Sequence, residues 1–299
     1  MARTTPPRPV DMEELFPELA PLRRTAIRLH PRAGSPSAEE SSVGGPLLWP
    51  ADEPWPVCPS TSHPATWDAP ATDGPVPMVA VVQIHRRDVP ELAFPEGCDL
   101  LQVLWCPFLV DGCSTATPRV HWRSAGSVVR PLPAAPPTVG TAPTDSIPDP
   151  CVLHPEVVAD YPSRDMPDEV AAALRERMDE LEARTGLIHF YHLAEAPGIK
   201  LGGYPSWTQD PCWPTCADCG VTMDHLLTVS SWEYDGESWR TWLPVEDRDE
   251  ETGREKKGAT GKETAHNPAD LMIGDAGGVY VFQCLTCPGR PVDHHWDCS

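Results

Sequence analysis

The sequence predicts an α+β protein in which β-strands predominate and which consists of two similar, duplicated halves. Three observations point to this fold class. Short apolar runs bounded by proline and glycine predict buried strands, one segment has the periodicity of an amphipathic helix, and a glycine-tryptophan motif recurs 158 residues further along the chain. Two pairs of cysteines also predict a zinc-ribbon-like knuckle of four cysteines in the second half.

Length and charge exclude several classes of protein. A chain of 299 residues is long enough to bury one large core or two coupled smaller ones. Its formal net charge of −21 is the opposite of what a phosphate-binding surface needs, so we expect no nucleic-acid partner. The longest largely apolar run, residues 100–110, is shorter than the ~20 residues that span a bilayer. We therefore expect a cytoplasmic protein without membrane contact.

The elements follow in chain order from a predicted N-terminal extension, residues 1–41, with a candidate helix between Met12 and Ile27. Residues 42–130 form the first β-rich half, and the proline-rich residues 131–165 are predicted to be a linker or surface strap. Residues 166–299 contain a helix and the second β-rich half with the metal site. Buried strands are predicted at 78–84, 100–105, 187–193 and 278–283.

The second half contains the clearest helix and the clearest loop. Pro167 suits a first helical turn, and an apolar stripe continues from there to Gly186, which suits a helix end. Residues 245–267 are dense in charged and small polar residues, so we expect a disordered acidic loop.

The repeat is carried by glycine, tryptophan and cysteine. The segment Gly44 to Trp49 matches Gly202 to Trp207, and a cysteine, Cys58 or Cys216, follows the second glycine of each copy by 13 residues. Cys106 and Cys284 each follow a predicted strand in the corresponding half. The pattern predicts a duplication, and the alternative is a chance recurrence in a chain rich in glycine and proline.

The strongest chemical signal is a pair of C-x-x-C sequences, Cys216 with Cys219 and Cys284 with Cys287, separated by 64 residues. Two such knuckles present four thiolates to one metal ion, and a closed shell of four sulfurs suits structural Zn²⁺. Independent buried or redox-active thiols are the alternative. Four nearby residues could replace one ligand or build another site, namely Cys212, His294, His295 and Cys298.

In the first half, Cys58 and Cys106 look like half of a degenerate site. Thr61 and Leu109 stand where the second cysteine of each knuckle would be. A metal ion there would need other donors, such as Cys113 or His63.

The sequence contains no motif of a familiar catalytic site: G-x-S-x-G, H-E-x-x-H and a P-loop are all missing. It does contain eleven tryptophans, several beside proline, which could bind an extended peptide by stacking. The candidates are Trp49, Trp55, Trp207 and Trp213. The alternative is that these indoles pack in the core.

Several of these motifs together resemble the YwqG-like proteins, a bacterial family without established activity. The resemblance rests on Ser42 to Pro50, Ala80 to Ile84 and Leu100 to Val103 in the first half, and on Lys200 to Gln209 and Gly274 to Phe282 in the second. It implies an α+β fold with duplicated β-rich halves.

The segment from Gly202 to Cys287 is also similar to programmed cell death protein 2 and its relatives. That resemblance implies capture of a protein or peptide by a metal-stabilised domain.

These observations predict a zinc-binding, YwqG-like protein that acts as a non-catalytic module for a protein or peptide partner. A basic partner fits the acidic chain, and a chaperone-like or toxin-neutralising role would use such binding. A metal- or thiol-dependent enzyme and a thiol redox sensor are the alternatives.

Overall fold

Two six-stranded antiparallel sheets form the framework of the part of the chain that the structure describes. The computed structural model describes residues 2–65, 69–108, 118–258 and 264–298. Its strands are β1 (Arg24–Arg28), β2 (Arg32–Ala33), β3 (Ser42–Val43), β4 (Ser62–His63), β5 (Thr72–Asp73), β6 (Val79–His85), β7 (Leu100–Trp105), β8 (Arg119–Arg123), β9 (Cys151–Val152), β10 (Glu156–Asp160), β11 (Lys200–Gly202), β12 (Asp224–Ser230), β13 (Gly278–Gln283) and β14 (Val292–Asp297).

We call the sheet with the order β2-β9-β3-β6-β7-β8 the first sheet, and the sheet with the order β10-β1-β11-β12-β13-β14 the second sheet. Strands β4 and β5 form a small separate hairpin. The β-rich composition that the sequence predicted is therefore confirmed.

The central strands form where the sequence has continuous apolar runs. All six residues of β7 and all six of β13 are buried, and β6 is buried at six of its seven positions. Both faces of these strands are covered, so their sequences show no alternation between apolar and polar residues. The predictions of strands at 78–84, 100–105 and 278–283 are confirmed to within one residue.

Each sheet incorporates two strands from outside its predicted half, and one of the two lies in the interior of the sheet. Strand β1, from the predicted N-terminal extension, lies between β10 and β11 in the second sheet. Strand β9, from the predicted linker, lies between β2 and β3 in the first sheet. Neither strand contains proline, so both can donate backbone hydrogen bonds despite the composition around them. Residues 1–41 and 131–165 thus contribute strands to the sheets.

Three α-helices accompany the sheets in the described residues: α1 (Met12–Leu15), α2 (Asp168–Thr185) and α3 (Trp239–Trp242). The expected helix between Met12 and Ile27 is wrong beyond its first turn. Residues Pro17–Leu22 form a 3₁₀ helix, in which proline removes backbone donors, and β1 follows. Helix α2 is confirmed, and it ends at Gly186 with φ = 71°.

The predicted strand at 187–193 is wrong. Residues His189–Leu193 form one π-helical turn, in which the Ala194 N–H donates to the His189 carbonyl at 2.9 Å. The His192 ring also accepts from the Ile188 N–H at 2.8 Å. These local bonds satisfy backbone groups that a strand would have to pair with a neighbour.

The acidic segment 245–267, expected to be a disordered loop, is folded where the structure describes it. Residues Val245–Asp247 form a 3₁₀ turn, and Arg248 pairs with Glu255 in an isolated β-bridge. Glu255 is buried and accepts hydrogen bonds from the Ala265 N–H at 2.5 Å and from the Tyr234 hydroxyl. Burial of this carboxylate with its donors holds the loop against the protein; residues 259–263 lie outside the described residues.

One large hydrophobic cluster includes residues from both sheets, among them Val81, Leu101, Leu201 and Val279. A second cluster joins α2 to the N-terminal helices through Leu174 and others. Among the described residues, no helix combines the length and hydropathy needed to cross a bilayer.

Candidate metal centre

The first cysteine pair lies in a tight turn directly before β12. Thr215 and Thr222 form an isolated β-bridge across its base, and the Gly220 N–H donates to the Cys216 carbonyl at 2.8 Å. Gly220 has φ = 73°, a left-handed conformation that glycine adopts without strain. The turn therefore directs the side chains of Cys216 and Cys219 to one side.

The second cysteine pair lies in a turn directly after β13. The Cys284 N–H donates to the Pro291 carbonyl at 2.9 Å, and the Arg290 N–H donates to the Cys287 carbonyl at 2.9 Å. The Cys287 N–H approaches the Cys284 sulfur at 3.4 Å, as metal-binding knuckles require for sharing the charge of a thiolate.

Strand pairing brings the two turns together across 64 intervening residues. Strands β12 and β13 are antiparallel, and Asp224 at the start of β12 lies opposite Gln283 at the end of β13. The turn before β12 and the turn after β13 therefore lie at the same end of the second sheet. The long connection between the strands leaves from the opposite end, where Ser230 lies opposite Gly278.

The four sulfurs, which we call the four-cysteine cluster, have the spacing of a tetrahedral metal site. All four lie within 4.8 Å of one another, with Cys216 Sγ 3.9 Å from Cys287 Sγ and Cys219 Sγ 3.6 Å from Cys284 Sγ. Metal–sulfur bonds of ~2.3 Å in a tetrahedron place sulfurs about 3.8 Å apart. A disulfide would need about 2.05 Å, so the four thiols are free cysteines that could bind one metal ion.

Local hydrogen bonds already favour loss of one thiol proton. The backbone bond from Cys287 lowers the pKa of Cys284 to about 7, whereas the side-chain contact with Cys219 raises the pKa of Cys287. Binding a cation would displace the remaining protons, because the thiolate is the ligand form.

Aromatic side chains cover the buried side of the cysteines. Cys216 and Cys284 belong to a hydrophobic cluster with Trp207, Phe282 and other apolar residues, while Cys219 is exposed. The indole N–H groups of Trp207 and Trp213 both donate to Asp165, at 2.8 and 2.6 Å. Sequence reasoning missed Asp165, which has no recognisable motif around it.

The four candidate tryptophans make internal contacts. Trp49 and Trp207 are 0% and 1% exposed, so both rings lie in the interior of the protein. Trp55 is half-buried, lies 5.2 Å from the Trp49 ring and donates to the Met78 carbonyl at 2.8 Å. Trp213 is also half-buried. These large aromatic side chains therefore stabilise the fold by the apolar area that they bury.

The other suggested ligands lie apart from the four sulfurs. Among the described residues, the four-cysteine cluster includes none of the additional ligands suggested by the sequence, namely Cys212, His294, His295 and Cys298. Cys212 is exposed, His294 and His295 lie on β14, and Cys298 packs beside Gly274. The His295 ring contacts the Trp207 ring at 5.8 Å between centroids.

A second group of donors forms in the first half. Cys58, His63 and Cys106 are all buried, and their ligand atoms lie within 4.8 Å of one another. Thr61 is not a member of this group, and Leu109 and Cys113 lie outside the described residues. His63 lies five residues after Cys58, which is not the spacing of a C-x-x-C knuckle. The sequence therefore named His63 as a possible donor but did not predict that it lies beside the two cysteines.

No protein-family model matches the chain, and no curated protein matches it. The similarities to YwqG-like proteins and to programmed cell death protein 2 therefore stay predictions from sequence motifs.

Proposed function

We propose that this chain is a non-catalytic binding protein for a basic protein or peptide, and that Cys216, Cys219, Cys284 and Cys287 hold a structural zinc ion. The observation that carries the proposal is the tetrahedral spacing of four sulfurs, which together would fill every coordination position of one Zn²⁺. Such a shell has no position for a substrate or a catalytic water. Its role is then to join the turns before β12 and after β13.

Zinc is the metal that this donor set favours. Four thiolates in a tetrahedron suit Zn²⁺ or an iron–sulfur centre, while calcium and magnesium need oxygen ligands. A single Zn²⁺ matches sulfurs 3.6 and 3.9 Å apart that converge on one point.

The proposed partner site is an acidic groove of about 680 Å³. It is lined by Thr144, Asp145, Ile147, Asp149, Asn267, Asp270 and Met272. Two segments form its walls, joined where the Met272 N–H donates to the Asp145 carbonyl at 3.0 Å. Asp149 and Asp270 are exposed at its edge, and no lysine or arginine is among the lining residues that the structure describes.

Charge supports a basic occupant of this groove. The chain as a whole carries −21, so an approaching cationic segment is attracted over several ångströms before contact. Carboxylates at the groove then favour arginine, whose planar guanidinium can donate two parallel hydrogen bonds. The resemblance to programmed cell death protein 2 relatives supports protein capture independently of charge.

We also propose that the two halves are duplicated. Support comes from the sheets, since β3, β6, β7 and β8 occupy the positions in the first sheet that β11, β12, β13 and β14 occupy in the second. The strand pairing corresponds as well. Ser42 lies opposite Gln83 in the first sheet, and Lys200, 158 residues after Ser42, lies opposite Thr228 in the second.

The metal is tested by elemental analysis of the purified full chain and of a Cys216→Ser, Cys284→Ser variant. We expect the variant to lose one zinc per chain and to unfold at a lower temperature. A variant with the same zinc content as the wild type would overturn the metal assignment.

The groove is tested with a short synthetic peptide rich in arginine and lysine, by calorimetry at two salt concentrations. Asp145→Asn, Asp149→Asn, Asp270→Asn should weaken binding about tenfold or more, which is a loss of about 1.4 kcal/mol. The control changes three exposed acids elsewhere by the same total charge: Asp52→Asn, Glu91→Gln, Glu96→Gln. Equal weakening in both variants would mean that net charge alone attracts the peptide, and no binding would overturn the proposal.

Thiol redox sensing is the second candidate, favoured by the exposure of Cys219 within the cluster. Hydrogen peroxide would take two electrons from the thiolates of Cys216 and Cys219 and two protons from solvent, giving one disulfide and two water molecules and releasing zinc. Zinc release at low peroxide, reversed by a thiol reductant, would favour this function over a permanent structural site.

A further inference from the structure

The first half contains its own group of convergent metal donors. The sulfurs of Cys58 and Cys106 and a ring nitrogen of His63 lie within 4.8 Å of one another. The three residues, Cys58, Cys106 and His63, are 4%, 0% and 0% exposed. A cation placed among them would be shielded from water on the sides that these residues occupy.

Strand positions match this group to the four-cysteine cluster. Cys58 precedes β6 as Cys216 precedes β12, and Cys106 directly follows β7 as Cys284 directly follows β13. In both sheets the first of these strands has a register shift after its second residue. Two cysteines therefore reach the same end of each sheet by the same backbone path.

His63 supplies a donor where the knuckle lacks one. Thr61 occupies the position that corresponds to Cys219. At Thr61 the chain enters the β4–β5 hairpin, where the Gly74 N–H donates to the Thr61 carbonyl at 2.8 Å. Two residues further on, β4 carries His63 into the interior, where its ring packs 4.8 Å from the Phe108 ring.

The state of the His63 ring points to a ligand. The residue is 0% exposed, and neither ring nitrogen has a hydrogen-bond partner among the residues that the structure describes. Buried polar groups in folded proteins are nearly always paired, because an unpaired one loses its hydration without compensation. Coordination of a metal ion would satisfy one ring nitrogen directly.

We propose that Cys58, His63 and Cys106 bind a second zinc ion, separate from the ion on the four-cysteine cluster. Two thiolates and an imidazole are a donor set typical of zinc, and the fourth position of the tetrahedron would be taken by a donor other than these three residues. The ion would hold the β4–β5 hairpin against the ends of β6 and β7, as the first ion holds the turns in the second half. This site does not depend on the proposed partner binding.

The test is the zinc content of the full chain, purified without chelators, beside three variants. We expect two zinc ions per wild-type chain and one in Cys58→Ser, Cys106→Ser. The Cys216→Ser, Cys284→Ser variant should also retain one, so failure at either site is seen separately. Cys151→Ser is the matched control: this buried cysteine donates to the Pro268 carbonyl at 3.2 Å, outside both groups, and the variant should keep two.

Cobalt substitution gives a readout that does not depend on stability. Absorbance from thiolate-to-cobalt charge transfer scales with the number of Co–S bonds, which is six with both sites filled and four without the first-half site. We expect a fall of about one third in Cys58→Ser, Cys106→Ser. In His63→Gln, which keeps all the thiols, we expect weaker zinc retention on dialysis.

One zinc in the wild type, unchanged in Cys58→Ser, Cys106→Ser, would overturn the proposal even if other variants fail to fold. A disulfide between Cys58 and Cys106, found by alkylation and mass spectrometry of the native protein, would overturn it as well.

Discussion

Replacement of Gly203 by alanine should be among the most damaging single changes in the second sheet. A Cβ at this position would lie 2.2 Å from Asp160 Oδ2 and 2.7 Å from the Ala26 Cβ. The backbone has φ = +67°, where a non-glycine residue costs about 1–2 kcal/mol.

The larger part of the cost comes from Asp160. This carboxylate is fully buried and accepts from Lys200 Nζ at 2.9 Å and from the Ala196 and Tyr204 N–H groups at 2.7 and 3.0 Å. Displacing it breaks a buried ion pair, which costs about 3–5 kcal/mol. We therefore expect Gly203→Ala to lose about 4–7 kcal/mol, a large share of the ~5–15 kcal/mol by which domains are stable.

Gly253→Ala is the matched control. Its φ is +66°, but an added Cβ would have no heavy atom within 4 Å among the described residues, so only the backbone cost of about 1–2 kcal/mol applies. Urea unfolding of both variants, followed by tryptophan fluorescence, gives the difference. If the two variants lose the same free energy of unfolding, the close approach of Gly203 to Asp160 does not constrain this fold.

Other predictions concern buried charge. Burial raises the pKa of Glu195 to about 7. Between about pH 4.5 and 7 the folded protein therefore keeps a proton that the unfolded chain releases. The free energy of unfolding falls as the pH rises through that window. Glu195→Gln should therefore gain about 3 kcal/mol over wild type at about pH 8 but nothing at about pH 4.5; equal differences in urea unfolding at both pH values would contradict this. Lys200→Met removes the cation paired with the buried Asp160 carboxylate and should lower the free energy of unfolding by about 3–5 kcal/mol. Arg177→Met breaks an exposed ion pair and should cost about 1 kcal/mol or less. Thermal unfolding that ranks the two variants in the opposite order would refute the buried ion pair as the more stabilising one. Asp165→Asn replaces one of the two carboxylate oxygens that accept from the indole N–H groups of Trp207 and Trp213 with an NH₂ donor. This change should cost about 2 kcal/mol and shift the tryptophan emission. An unchanged emission spectrum would contradict the prediction.

The parts of the fold that were predicted correctly depend on local sequence. Strands β6, β7 and β13 are continuous apolar runs, and helix α2 has its own start and end signals. Residues 187–193 were mispredicted because an apolar run of that length suits a buried strand and a helical turn equally well. The hydrogen bonds of the His192 ring with the Ile188 backbone favour the turn, and hydropathy contains no information about them.

The candidate metal centre was predictable because its ligands come in sequence pairs. Each C-x-x-C turn sets two sulfurs by local geometry, so only the meeting of two turns was left to the fold. The first-half group differs, since Cys58, His63 and Cys106 come from separate elements, and their distances depend on how β4, β6 and β7 pack. The tryptophans were ambiguous, because a ring beside proline fits a surface or a core.

By itself the sequence determined the β-rich class, the acidic charge, the main strands and the four thiols that could hold a metal ion. Only the tertiary structure decided that β1 and β9 lie inside the sheets, that His63 meets two cysteines and that Asp165 joins two indoles. The physical reason is the distance along the chain between the residues that interact. Turns and long apolar strands are selected by neighbouring residues, whereas a two-residue strand or a single buried donor is stable only through partners far away in the chain.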